Sequence, residues 1–374
     1  MNPKIDFIPV NEPLLDGNEK KYLNACIDTG WISFEGPFVT EFEEKISREI
    51  GHDHGVMVTN GTAALELAVK ALGIGPGDEV ILPAFTIISC AQAVVRVGAT
   101  PVLVDSEPET WNMEVAAIES RITPATKAIM AVHTYGLPVD MDPLMDLARA
   151  RDLIVIEDVA EAIGLTYKDT PCGGFGDVSI FSFYSNKHVT TGEGGMVTTR
   201  DAAIAERCRW YRNMCFGPDR FVHEELGWNM RPTNLQAAVG LAQLESLSTT
   251  TERKRRIGRH YTERLGDLAN VQLPPIKTDS AKNVYWVYGV VLDDTVPFDA
   301  KDAMRRLGER GIGTRPFFHP MHEQPVFKNM DLFVGDSHPV AERLARRGFY
   351  VPNGIGLGDA EINRVIEALI EILS

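Results

Sequence analysis

Cysteine is scarce in this chain: only Cys26, Cys90, Cys172, Cys208 and Cys215 occur among 374 residues. Their odd number, wide spacing and lack of a C-x-x-C pair exclude a disulfide framework and a cysteine-based zinc site, and they are read as reduced thiols. Long hydrophobic runs are missing too. No stretch reaches the roughly 18 apolar residues of a membrane-spanning helix, so no membrane partner is expected. The first six residues hold no basic segment followed by an apolar run, which points to a cytoplasmic protein. Positive charge is in deficit, with 37 Lys and Arg against 52 Asp and Glu and a net charge of -15. A surface that tracks nucleic-acid phosphates needs a basic face, so nucleic acid is excluded as a partner. A small anion held by a few local arginines is not. Internal repeats and low-complexity segments are absent as well.

What remains is an ordinary globular composition, 44% hydrophobic and 24% charged, long enough for one large and one smaller domain. Short apolar runs at 56–58, 79–82, 100–104, 128–132 and 153–156 alternate with helical patterns. That alternation predicts an α/β fold with a mostly parallel sheet covered on both faces. Residues 62–72 show apolar side chains at helical spacing, with Asn60-Gly61-Thr62 as the opening and Gly73 as the stop. Residues 233–265 read as a long connecting helix that becomes basic through Arg253-Lys254-Arg255-Arg256, a run taken as a solvated face. The domain change is placed there, giving a large domain of residues 1–245 and a small one of 246–374. The latter reads as α+β, with an alternating strand over 284–292 and helices near 301–310 and 359–372.

One lysine stands out chemically. Lys187 follows the hydrophobic run Ser179-Ile180-Phe181-Ser182-Phe183-Tyr184 and enters the small, polar loop Ser185 to Gly195, away from any charged helix face. Amines in such enclosed places form Schiff bases with carbonyl compounds, pyridoxal phosphate (PLP) above all. That cofactor needs an acid at its ring nitrogen, donors for its phosphate and a flat group over its ring. Asp158, at the carboxyl end of the run 153–156, suits the first need, although aspartate is also a favoured N-cap. Backbone N–H groups of Thr62 and Ala63 at a helix start, with the Ser182 hydroxyl, suit the second. Phe85 suits the third, and equally suits a plain core position. Gly73-Ile74-Gly75-Pro76-Gly77-Asp78 follows a helix instead of a strand and reads as a tight turn, not a dinucleotide fingerprint. His52-Asp53-His54 and His319-Pro320-Met321-His322 lack further ligands at a workable spacing, so no metal is expected.

Together, Glu157-Asp158-Val159-Ala160-Glu161-Ala162, Ser182-Phe183-Tyr184-Ser185-Asn186-Lys187, Gly192-Glu193-Gly194-Gly195 and Gly227-Trp228-Asn229-Met230-Arg231-Pro232 resemble the DegT/DnrJ/EryC1/StrS sugar-nucleotide aminotransferases over nearly the whole chain. The resemblance implies an aspartate-aminotransferase-type fold (PLP fold type I) with a seven-stranded sheet, and a homodimer with active sites at the interface. It makes Lys187 the covalent anchor of PLP, Asp158 the partner of the ring nitrogen and Glu161 a neighbour of the ring hydroxyl. Thr62, Ala63 and Ser182 become phosphate ligands, joined by Asn229 of the neighbouring subunit, and Arg231 becomes a candidate for an anionic substrate group. A related branch carries histidine in place of the lysine and dehydrates its substrate. Counting from Ser182 and Gly192 puts Lys187, not His188, at that position. Trp31-Ile32-Ser33 and Arg315-Pro316-Phe317-Phe318-His319-Pro320-Met321-His322 resemble the branch that transfers the amino group of L-glutamate to C4 of GDP-4-keto-6-deoxymannose. Trp31, Arg315, His319 and His322 are therefore candidate substrate contacts. A UDP- or dTDP-linked ketosugar and a non-catalytic cofactor-binding protein are the alternatives.

Overall fold

The computed structural model describes residues 6–219 and 221–373; all but the last of the six N-terminal residues read above lie outside them. Seven strands, β1 (His54–Val58), β2 (Glu79–Pro83), β3 (Thr100–Val104), β4 (Thr126–Val132), β5 (Ile154–Asp158), β6 (Val178–Ser182) and β7 (Gly195–Thr199), form one sheet. Their order is β1-β7-β6-β5-β4-β2-β3. Only β7 runs antiparallel to its neighbours. The five apolar runs expected as strands all lie in this sheet. They read as continuous apolar segments because both faces are covered. Successive residues enter opposite cores: Val80 and Leu82 pack with Met130 on one face, and Ile81 with Ile129 and Ala131 on the other.

The helix Gly61–Ala71 starts where Asn60 accepts the N–H of Ala63 on its side chain at 2.8 Å, an N-cap that leaves the first amides free of the helix's own carbonyls. The expected helix over 233–265 is two helices, Asn234–Glu245 and Leu247–Leu265, broken at Ser246. Thr233 and Gln236 build a capping box at the start of the first. The basic run proves partly interior: Lys254 is 2% exposed, on the packed side of its helix.

Downstream, β8 (Val271–Gln272), β9 (Tyr288–Leu292), β10 (Arg315–Pro316) and β11 (Gly348–Val351) form an antiparallel sheet in the order β8-β9-β11-β10. The helices Ala300–Glu309 and Asp359–Leu373 fall where periodicity put them. The strand expected over 284–292 begins only at Tyr288, because Tyr285 sits at φ 48 and turns the chain. A third core of Ile257, Tyr261, Tyr288, Val290, Phe349 and Leu369 also includes Ile8, whose backbone bonds Gly311 and Gly313. An N-terminal residue thus packs with the C-terminal segment.

Candidate active site

Three parallel strands end together: Val132 closes β4, Asp158 closes β5 and Ser182 closes β6. All three line one cavity of about 380 Å³ with Gly61, Thr62, Glu161 and Lys187. This is the carboxyl edge of the sheet, where open α/β sheets hold their ligands. Lys187 reaches it through a loop closed by Phe183 N–H to Gly194 O (2.8 Å) and Thr191 N–H to Phe183 O (2.9 Å). Its amine lies 3.7 Å from Glu161 Oε1 and 3.5 Å from the centre of the Trp286 ring.

Two buried carboxylates and one largely enclosed amine, its side chain 9% exposed, share this space. Burial pushes the Asp158 carboxyl up, opposed by the Ala160 N–H, the Lys187 charge and the Cys90 thiol. Those contacts are Ala160 N–H to Oδ1 at 2.9 Å and Cys90 Sγ to Oδ2 at 3.4 Å. Burial also lifts Glu161 to about 7, against the pull of Lys187. The same burial lowers Lys187, with Glu161 and Asp158 countering it. A lysine so placed gives up its proton more readily than one in water, which is what nucleophilic and proton-moving chemistry requires.

The opposite end is built for an anion. Gly61 and Thr62 stand at the positive end of their helix, and the hydroxyls of Thr62, Ser89 and Ser182 line the same wall, Thr62 Oγ1 lying 2.8 Å from Ser89 Oγ. A Cβ on Gly61 would come within 2.8 Å of Ser182 Cβ, so only glycine lets the helix start approach that strand. Ala63 departs from expectation: its N–H is committed to Asn60 and it does not line the cavity. Phe85 departs as well. It is fully buried against Tyr135, Phe317 and Phe318, and the wall beside it is made by Thr86 and Ile87.

The family model of the DegT/DnrJ/EryC1/StrS aminotransferases matches residues 13–370. The chain belongs to that family. A GDP-perosamine synthase of Caulobacter vibrioides is 44% identical over 98% of both chains. One from Escherichia coli O157:H7 is 41% identical over 98% of this chain and 99% of its own. Among solved structures, DesV of S. venezuelae in complex with a ketimine intermediate superposes with a TM-score of 0.88 at 33% identity, covering 96% of this chain and 94% of that one. The chain is a PLP-dependent sugar aminotransferase of aspartate-aminotransferase-type fold. Its residues fit the cofactor: an amine for the aldehyde, a buried acid for the ring nitrogen, and a glycine-floored cradle of amides and hydroxyls for the phosphate.

Several candidate residues of this aminotransferase lie outside the cavity of their own chain, as the expected role of Asn229 in the neighbouring subunit's site requires. Asn229 and Arg231 do not line the cavity of their own chain; Arg231 donates Nε–H to Asn229 Oδ1 at 2.9 Å. Trp31, 49% exposed, is also outside it, as is Arg315, whose strand partner Tyr350 does line it. His319 is exposed and 3.9 Å from Glu323. His322 is buried on a different surface, where Nε2 meets Glu342 Oε1 at 3.1 Å, so it does not face this cavity. His322, Glu323 and Glu342 place ligand atoms within 4.8 Å of one another, but Arg346 already pairs with Glu323 at 2.6 Å, the arrangement of an ion-pair network. His188 is 2% exposed and does not line the cavity, which separates it from Lys187 beside it.

Other wall residues are not evident in the sequence. Trp286, Phe318 and Tyr350 come from the C-terminal segment, and Tyr184 and Asn186 from the lysine loop itself. Glu157, next to Asp158, is wholly buried and accepts His133 Nε2–H (2.9 Å) and the N–H groups of Gly173, Phe175 and Gly176. His133 Nδ1 accepts the Val139 N–H, which assigns the tautomer with the proton on Nε2. Glu157 thereby fixes the loop after β5.

Proposed function

We propose that this aminotransferase moves the amino group of L-glutamate to C4 of GDP-4-keto-6-deoxymannose, giving GDP-perosamine. The observation that carries amino transfer is the Lys187 amine lying between Glu161 and Trp286 in the same cavity as Asp158. The choice of sugar is supported by the full-length likeness to two GDP-perosamine synthases at 44% and 41% identity. PLP, when bound, supplies an electron-accepting ring that stabilises negative charge at a substrate carbon. The chain supplies the rest. Lys187 Nζ would hold the cofactor through its aldehyde and, once freed as a neutral amine, would take up the α-proton of glutamate. In the second half of the cycle the same nitrogen returns a proton to C4 of the sugar. Asp158, buried at the strand end, would keep a proton on the ring nitrogen. Glu161, near 7, can hold or release a proton at Oε1 in step with the ring hydroxyl. Thr62, Ser89 and Ser182, with the helix amides, orient the phosphate.

The working molecule on this reading is a homodimer in which Asn229 of each chain completes the partner's phosphate site, with Arg231 beside it for an anionic substrate group. On this reading the domain boundary falls near residue 245, with Ile8 packed on the smaller, C-terminal domain. Glutamate is offered with GDP-, UDP- and dTDP-linked 4-ketosugars and product masses are read directly. A 4-amino product from the GDP sugar in clear preference is expected. Preference for a UDP or dTDP sugar would overturn the choice of nucleotide, and no amino product from any of them would overturn the activity.

A further inference from the structure

The helix Leu247–Leu265 buries a stripe of Thr250, Thr251, Lys254, Ile257, Gly258, Tyr261 and Leu265. One position in it holds a charge. Lys254 Nζ donates to the backbone carbonyls of Trp286 (3.1 Å) and Asn353 (2.5 Å), and burial alone pushes its ammonium down to about 7, with no carboxylate among the described residues to counter it. Taking a lone ammonium out of water is costly, and an apolar side chain of similar length would fill the stripe at less cost. Stability therefore does not account for a lysine here.

Its two acceptors lead to the reacting amine. Trp286 follows the turn at Tyr285 that delays the start of the expected strand to Tyr288. Its indole Nε1–H donates to Asn186 O at 3.0 Å, and its ring centre lies 3.5 Å from Lys187 Nζ. Asn353 returns to the same turn by donating Nδ2–H to Tyr285 O at 2.8 Å. We propose that Lys254 is a positioning residue: by clamping the Trp286 and Asn353 carbonyls it fixes the indole against the Asn186–Lys187 peptide and so sets where the Lys187 amine points. This rests on Lys187 as the reacting amine and is independent of the sugar.

The test is a double-mutant cycle on the PLP-loaded enzyme with Lys254→Met and Trp286→Phe, following kcat, KM, melting temperature and the pH midpoint of the bound cofactor's visible absorbance. Lys254→Met is expected to melt no lower than the parent, to lower kcat roughly 10- to 100-fold, as small misplacements of reacting groups do, and to move the absorbance midpoint. Trp286→Phe is expected to move that midpoint in the same direction. The double variant is expected to be no worse than the poorer single one. Parental kcat and midpoint in Lys254→Met, or losses that multiply in the double variant, would overturn the proposal. If Lys254→Met fails to fold, Lys254→Gln, which keeps a donor for one carbonyl, takes its place under the same criteria. Lys187→Ala provides the separate check, since a visible band surviving there would fault the reacting amine itself.

Discussion

Cys90 illustrates how one residue can bear on chemistry without touching substrate. Its thiol points at Asp158 Oδ2 across 3.4 Å of fully buried space, and it favours the ionised carboxylate, which burial otherwise disfavours. Cys90→Ser, retaining a donor, should keep near-parental kcat. Cys90→Ala, losing about 1 kcal/mol of hydrogen bonding to a charged group, should fall about fivefold, as steady-state kinetics will show. Lys254 carries a second prediction. Its native pKa, about 7, lies below the unfolded value near 10.4, so the unfolded chain binds more protons in between and stability rises with pH over that window. Urea midpoints of the parent should climb from pH 7 to 10 by more than those of Lys254→Met; equal slopes would contradict the burial of a charge. Lys187, Asp158 and Ser182 are legible in the sequence because they lie in or beside short stretches whose chemistry is local. Phe85 and Ala63 are not, since an aromatic beside a strand end and an amide at a helix start are each consistent with two environments, and only packing and the Asn60 cap decide.

At the level of elements, the buried parallel strands are legible because an unbroken short apolar run, set between helical patterns, fits a strand covered on both faces and little else. Alternation overstates the strand at 284–292, since it continues through Tyr285 while the backbone turns there. Trp286 is hidden for the same reason: as a strand residue it would face a core, and as a turn residue it faces Lys187. The basic run hides Lys254, whose spacing with Ile257, Gly258 and Tyr261 marks the packed stripe of the helix. The helix Gly61–Ala71 supports a prediction of its own. Asn60→Ala removes the cap and should cost about 1 kcal/mol, lowering the melting temperature of the apo protein by roughly 1–2 °C. Because the freed Ala63 amide competes for the anion end, phosphate-dependent binding of PLP should change as well, which equilibrium dialysis measures. A melting temperature equal to the parent's would show that the cap contributes nothing.

For the whole molecule, the location of Asn229 outside the cavity of its own chain sets up a complementation experiment. If it completes the partner's site, mixing Lys187→Ala and Asn229→Ala chains equally gives hybrid dimers in half of all pairs, each with one intact site. About a quarter of parental activity should then appear where neither variant alone is active, the arithmetic of a two-fold assembly. No recovery in verified hybrids would show that each chain builds its site alone. The central claim, that Lys187 is the amine bonded to the cofactor, is tested most directly by reducing the PLP-loaded protein with borohydride and mapping its peptides by mass. The added pyridoxyl phosphate mass should fall on Lys187 and vanish in Lys187→Ala; the same mass on another residue, or none on Lys187, would contradict that claim.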